Sequence, residues 1–155
     1  MAPTNFALTL ALAIGFAFPA LAAEDKVYIG YRQKVMTGVG ADMGAISDIL
    51  KNGLPYTAAI AIHADRLADA AALIPTAFQK KVTAGATDAK PEIWQKPDEF
   101  EAKIEALKKA ADALEDVAEA GDRDEIHLAY KKLGKACGGC HKTFRKPKEE
   151  SYKNR

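Results

Sequence analysis

Cys137 and Cys140 are the chain's two cysteines, set three residues apart near its C-terminus in the stretch KACGGCHKTFR, and His141 follows directly. Four chemistries use such a cluster. Thiol–disulfide exchange uses Cys-x-x-Cys, but beside a helix N-terminus, where the thiolate is stabilised. Here the pair falls at the C-terminal end of a helical pattern, the wrong place electrostatically. A zinc site needs four ligands, or three and a water. The two other histidines, His63 and His127, lack ligand spacing. A disulfide is compatible with an exported chain, yet it would tie one helical turn to itself. The fourth reading uses all three residues. Cys-x-x-Cys-His is the attachment sequence for c-type haem, in which both thiols add across porphyrin vinyl groups. The adjacent imidazole then ligates iron.

The N-terminus agrees with that chemistry. Phe6 to Phe18 is almost wholly apolar and no charged side chain precedes Glu24. Ala20-Leu21-Ala22 offers small residues at the spacing a signal peptidase reads. The apolar run falls short of the roughly 20 residues of a membrane span. Residues 1–22 are therefore expected to be a cleaved export signal, with an uncleaved anchor as the alternative, since the segment lacks an N-terminal Lys or Arg. Residues 23–155 then form one domain, long enough for a core of its own. The 22 basic and 21 acidic residues nearly cancel, which argues against a nucleic-acid partner.

Four helical stripes must position the cluster. The first runs from about Asp25 to Asn52 through Met36, Val39, Met43, Ile46 and Leu50, and Asn52-Gly53 stops it. The second starts at Pro55, runs through Ile60, His63, Leu67, Ala70 and Ile74, and ends at Pro75. Periodicity fades from about Phe78 to Lys96, a connection long enough to suggest a role. The third stripe, Pro97 to Ala120, repeats apolar residues at alternating four and three, and Gly121 closes it. Asp122, with Glu125 three residues on, is the predicted cap of the fourth. Its stripe is Ile126, Tyr130, Leu133, Cys137, Cys140 and Phe144, and Pro147 stops it. Four seams with mostly short links predict an all-α, antiparallel up-down-up-down four-helix bundle. The charged tail from about residue 147 is expected to be mobile.

With haem attachment near the C-terminus rather than the N-terminus, the chain resembles the class II cytochromes c, the cytochrome c′ group. The resemblance covers essentially the whole mature chain. It rests on Tyr31-Arg32-Gln33 with Met36, on Pro91-Glu92-Ile93-Trp94, and on Cys137-Gly-Gly-Cys140-His141 with Phe144-Arg145. It implies a single haem c with thioethers at Cys137 and Cys140, and with iron ligated by His141. It also implies Arg32 and Gln33 near the haem propionates, Trp94 packed near the haem, with a plain aromatic plug as its alternative, and Arg145 beside the proximal histidine.

The family has two branches, one with an open sixth iron position that takes nitric oxide or carbon monoxide, one with a methionine ligand and an electron-carrier role. Met36 and Met43 share a face and differ by seven residues, about 10 Å of helix rise. Helix one begins near the end of the bundle where helix four finishes. Met36 is thus the better-placed candidate ligand, and it occupies the family's distal position; Met43 reads as core. Gly38, Gly40 and Gly44 let the porphyrin approach, give helix one the freedom to bring Met36 onto iron, or pack against another helix. His63 reads as a core or rim histidine and His127 as surface. Ile126 to Lys148 holds seven basic residues and no acidic one. That run either pairs with acid-rich helix three or forms a basic rim that steers an acidic redox partner.

The reading is a periplasmic monohaem electron carrier of the low-spin His/Met branch, with no substrate chemistry of its own. An open-site binder of NO or CO is the first alternative. A haem-free, disulfide-stapled helical binding protein is the second. The resemblance also raises a homodimer through helices one and two.

Overall fold

A computed structural model of the protein describes residues 18–154, with side chains from residue 23 onward. Residues 1–17, most of the expected export signal, lie outside the described residues. The elements are α1 (Phe18–Lys51), α2 (Thr57–Phe78), the single turn α3 (Glu92–Gln95), α4 (Pro97–Ala120) and α5 (Arg123–Phe144). The four long helices are the predicted bundle. Among the described residues, none is long and apolar enough to cross a membrane.

The helix ends follow local chemistry. Pro97 occupies the first turn of α4 beside Asp98 and Glu99, which complement the helix dipole. Gly121 closes α4 at φ 78°, the left-handed conformation that favours glycine. The Asp122 carboxylate accepts from the backbone N–H groups of Asp124 and Glu125 at 3.0 and 3.2 Å, capping α5.

Two expectations fail at the other ends. α2 does not stop at Pro75 but continues to Phe78. A proline inside a helix removes one hydrogen bond and crowds the preceding turn. Here the extra turn buries Ala77, and the Arg32 side chain of α1 caps the carbonyl of Ala77 at 2.9 Å. The tail beyond Pro147, expected to lack structure of its own, has some. It folds into two 3-10 turns, Lys148–Glu150 and Tyr152–Asn154, with Ser151 buried between them.

The core lies between α2 and α4, which pack on each other most closely, with α1 on α2 and α5 on α4. Leu67, Leu114, Ile126 and Leu133 are fully buried there. Phe78, Phe100 and Phe144 close one end of the bundle, edge to face at 5.4 and 5.0 Å between centroids. Leu67→Ala is expected to cost about 2–5 kcal/mol, the range for emptying a buried leucine site. Denaturant unfolding of the haem-loaded protein measures it, and a loss below about 1 kcal/mol would place Leu67 outside the well-packed core.

The fourth seam is different. α1 and α5 do not pack directly along their lengths. A cavity lies between them.

Candidate functional site

That cavity has a volume of about 560 Å³, within the range of cofactor and ligand sites. α5 contributes Cys137, Cys140 and His141, and α1 contributes Met36, Val39, Gly40 and Met43 from the other side. Ile74 and Phe78 of α2, Leu107 of α4 and Ile93 of α3 complete an apolar lining. The cluster of the sequence and the two methionines therefore meet at one place. The spacing explains how. Cys137, Cys140 and His141 fall at i, i+3 and i+4, neighbouring positions on one helix face. α5 holds this face despite Gly134, Gly138 and Gly139, each of which costs about 0.5–1 kcal/mol relative to alanine in a helix. Its Asp122 cap and the buried Ile126, Ala129, Leu133 and Phe144 offset that cost.

The donor set suits covalent haem and suits its rivals poorly. Burial pushes the thiols of Cys137 and Cys140 above the ordinary cysteine pKa, and the Cys137 charge adds to the effect at Cys140. Redox-active thiols need the opposite shift. No group of three or more His, Cys, Asp or Glu placed to hold a metal ion occurs among the described residues, so a protein-only zinc site has no support. His141 sits at the rim, exposed on one side and lining the cavity on the other. Its pKa is nevertheless lowered, by desolvation first and by the Arg145 cation second. The imidazole is thus biased toward the neutral form that ligates metal. Gly40 borders the cavity, and a Cβ there would meet no protein atom within 4 Å. Helix–helix packing therefore does not require this glycine, and the open space beside it is compatible with close approach of a cofactor.

The residues expected around the cofactor divide. Gln33 and Arg145 line the cavity. Arg32 does too, but its guanidinium is turned away. It is buried and donates to the carbonyls of Ala77 and Val82, both at 2.9 Å, and of Lys80. It also lies over the rings of Phe78 and Trp94, at 5.2 and 5.0 Å. Burial lowers its pKa, with Asp25 opposing. Its first structural task is thus to hold the end of α2 and the loop after it.

Trp94 does not line the cavity; its neighbour Ile93 does. The indole stands one layer back, donating to the carbonyl of Phe78 at 2.7 Å and supporting Arg32. The short α3 turn aims Ile93 inward, so the indole stands behind the lining that Ile93 provides. Met43, read as core, borders the cavity. His63 is half-buried and pairs with the buried Asp42 of α1 at 2.7 Å, which fits the rim role. His127 is exposed.

Other lining residues escaped the sequence reading. Thr87, Asp88 and Ala89 come from the long connection, and Tyr152 and Lys153 come from the tail. Asp88 joins the two segments. Its carboxylate accepts from the Ser151 hydroxyl and from the Tyr152 N–H, both at 2.9 Å. Arg145 lies at 3.6 Å. Burial alone would raise the Asp88 pKa, but these donors outweigh it and hold the carboxyl below its ordinary value. An aromatic residue inside a charged tail, Ser151-Tyr152, was the available sequence signal.

The comparisons with known proteins agree with this geometry. A family model described as Cytochrome C' matches residues 27–145. A cytochrome c′ of Pararhodospirillum photometricum is 40% identical over 125 residues, 79% of this chain and 99% of that protein. A cytochrome c-554 of Cereibacter sphaeroides is 34% identical over 146 residues, 87% of this chain and 95% of that protein. Among solved structures, the nitric oxide complex of a cytochrome c prime variant from Alcaligenes xylosoxidans superposes with a TM-score of 0.71. It is 31% identical and covers 79% of this chain and 97% of its own. Bundle, cavity and relatives converge: the chain belongs to the cytochrome c′ family and is a monohaem c-type cytochrome with one covalently attached haem c.

Proposed function

We propose that the protein is a periplasmic one-electron carrier in which Cys137 and Cys140 anchor the haem, His141 is the proximal ligand and Met36 is the sixth ligand. One observation carries this reading: α5 presents two thiols and an imidazole to the same cavity that α1 lines with a thioether. Bound haem supplies a one-electron Fe(III)/Fe(II) couple. The chain's residues do the rest. The thioethers fix the ring to α5, and the Arg145 N–H bonds to the His141 carbonyl at 3.1 Å, holding the last turn that carries the imidazole. Ile74, Phe78, Leu107 and Phe144 keep water from the cavity floor. A thioether ligand favours the reduced metal and raises the potential. An export signal over residues 1–22 agrees with haem attachment outside the cytoplasm.

The partner side of the proposal rests on charge. A surface groove beside His141 is bordered by Lys90, Lys142, Arg145, Lys146, Lys148 and Lys153, with Glu150 the one carboxylate beside them among the described residues. Such a field favours an acidic redox partner and faster encounter at low salt.

A second reading has its own support. The relatives include proteins named cytochrome c′, and one was solved as a nitric oxide complex. In that reading Met36 is a wall of an open iron site that takes NO or CO. The visible spectrum of the haem-loaded protein decides between them, recorded oxidised, reduced, and reduced with carbon monoxide. Sharp low-spin bands with a weak carbon monoxide response match the carrier. A broad high-spin spectrum that responds readily to carbon monoxide overturns Met36 ligation in favour of the gas binder.

A further inference from the structure

The folded C-terminus raises a question that the iron ligands do not answer. Haem brings two propionate carboxylates, and carboxylates held against protein need cations or hydrogen-bond donors. Among the described residues, three cations border the cavity: Arg32, Arg145 and Lys153. The guanidinium of Arg32 is committed to the three carbonyls at the end of α2. Arg145 has a carboxylate partner in Asp88. Lys153 has no carboxylate within ion-pair distance among the described residues.

Hydrogen bonds join the tail to the bundle. Asp88 grips the Ser151 hydroxyl and the Tyr152 N–H through separate oxygens. The Lys146 N–H donates to the Asp88 carbonyl at 2.8 Å, and the Lys146 ammonium to the Thr87 carbonyl at 3.1 Å. Gln33 of α1 donates to the Tyr152 hydroxyl at 3.0 Å. That last bond uses the phenol oxygen as acceptor, so the Tyr152 O–H is still available to donate. The strap thus ties α1, the 79–91 connection and the end of α5 together, and it carries a phenol donor and an ammonium to the cavity border.

We infer that this C-terminal strap is part of the haem site and that Tyr152 and Lys153 are polar partners of the haem carboxylates. The inference rests on haem occupying the cavity. A cation beside a carboxylate stabilises its ionised form, and a cation near the ring stabilises the added electron. Both effects are readable apart from any electron-transfer activity.

The test is potentiometric titration of the haem-loaded protein against pH, for the unaltered chain and for Lys153→Gln, Tyr152→Phe and Lys148→Gln. Lys148 lies in the same strap but borders the surface groove and not the cavity. Lys153→Gln is expected to lower the midpoint potential above the pH at which the potential bends. It should also move that bend to higher pH. Tyr152→Phe should move the bend in the same direction, and Lys148→Gln should leave it in place. Equal shifts from Lys153→Gln and Lys148→Gln, or no shift from Lys153→Gln and Tyr152→Phe, overturn the inference. In those cases the haem reading stands, because the protein being titrated carries haem. A chain that takes up no haem under competent attachment conditions sinks both.

Discussion

His141→Ala is expected to leave haem attached but to abolish the ordinary c-type spectrum. The two thiols that make the covalent bonds are untouched by the change, so the ring should remain on α5. What disappears is the nitrogen ligand, and the fold offers no substitute. His127 stands 14 positions earlier on the same helix, about 21 Å along its axis, and is exposed. His63 is held by Asp42 between α1 and α2. The loss should therefore be complete. Added imidazole is expected to restore part of the spectrum, since the alanine leaves room where the ring stood. Absorption spectra of the purified variant, with and without imidazole, check both points. An unaltered spectrum would remove His141 from the proximal role.

Met36→Leu carries the second large effect. Leucine and methionine are close in volume, and such exchanges cost under about 1.5 kcal/mol, so the fold should survive. If Met36 ligates iron, the variant changes from six- to five-coordinate and binds carbon monoxide readily. Its midpoint potential is expected to fall by on the order of 0.1 V, within the roughly 0.8 V that axial ligands span. Met43→Leu is the control. Met43 borders the same cavity but stands seven residues away, about 10 Å further along α1, too far to serve the same iron position. It should alter neither coordination nor carbon monoxide binding. An unchanged spin state in Met36→Leu would establish Met36 as a wall residue and favour the open-site reading.

Much of this protein was legible without coordinates, for reasons that are local. An apolar period of three and four residues fixes which face of a helix is buried, so α4 emerged with both its ends as expected, Pro97 to Ala120. Caps work over three residues, and Asp122 accepts from the two backbone donors its position implied. Cys137, Cys140 and His141 lie within five consecutive residues, so their chemistry was readable as a string. What the sequence could not order was the meeting of distant segments. Arg32 faces carbonyls 45 to 50 residues away, and nothing near Arg32 says that it will cap α2 rather than reach a cofactor. Pro75 signals a helix end, and only that cap and the burial of Ala77 carry α2 past it. Tyr152 meets Gln33 across 119 residues, and the tail around it is as charged as any solvated terminus. Periodicity and motif decide what each segment is, because they act between neighbours. Which side chains share the cavity is decided by packing, because it depends on where α1, α5, the 79–91 connection and the tail come to rest together.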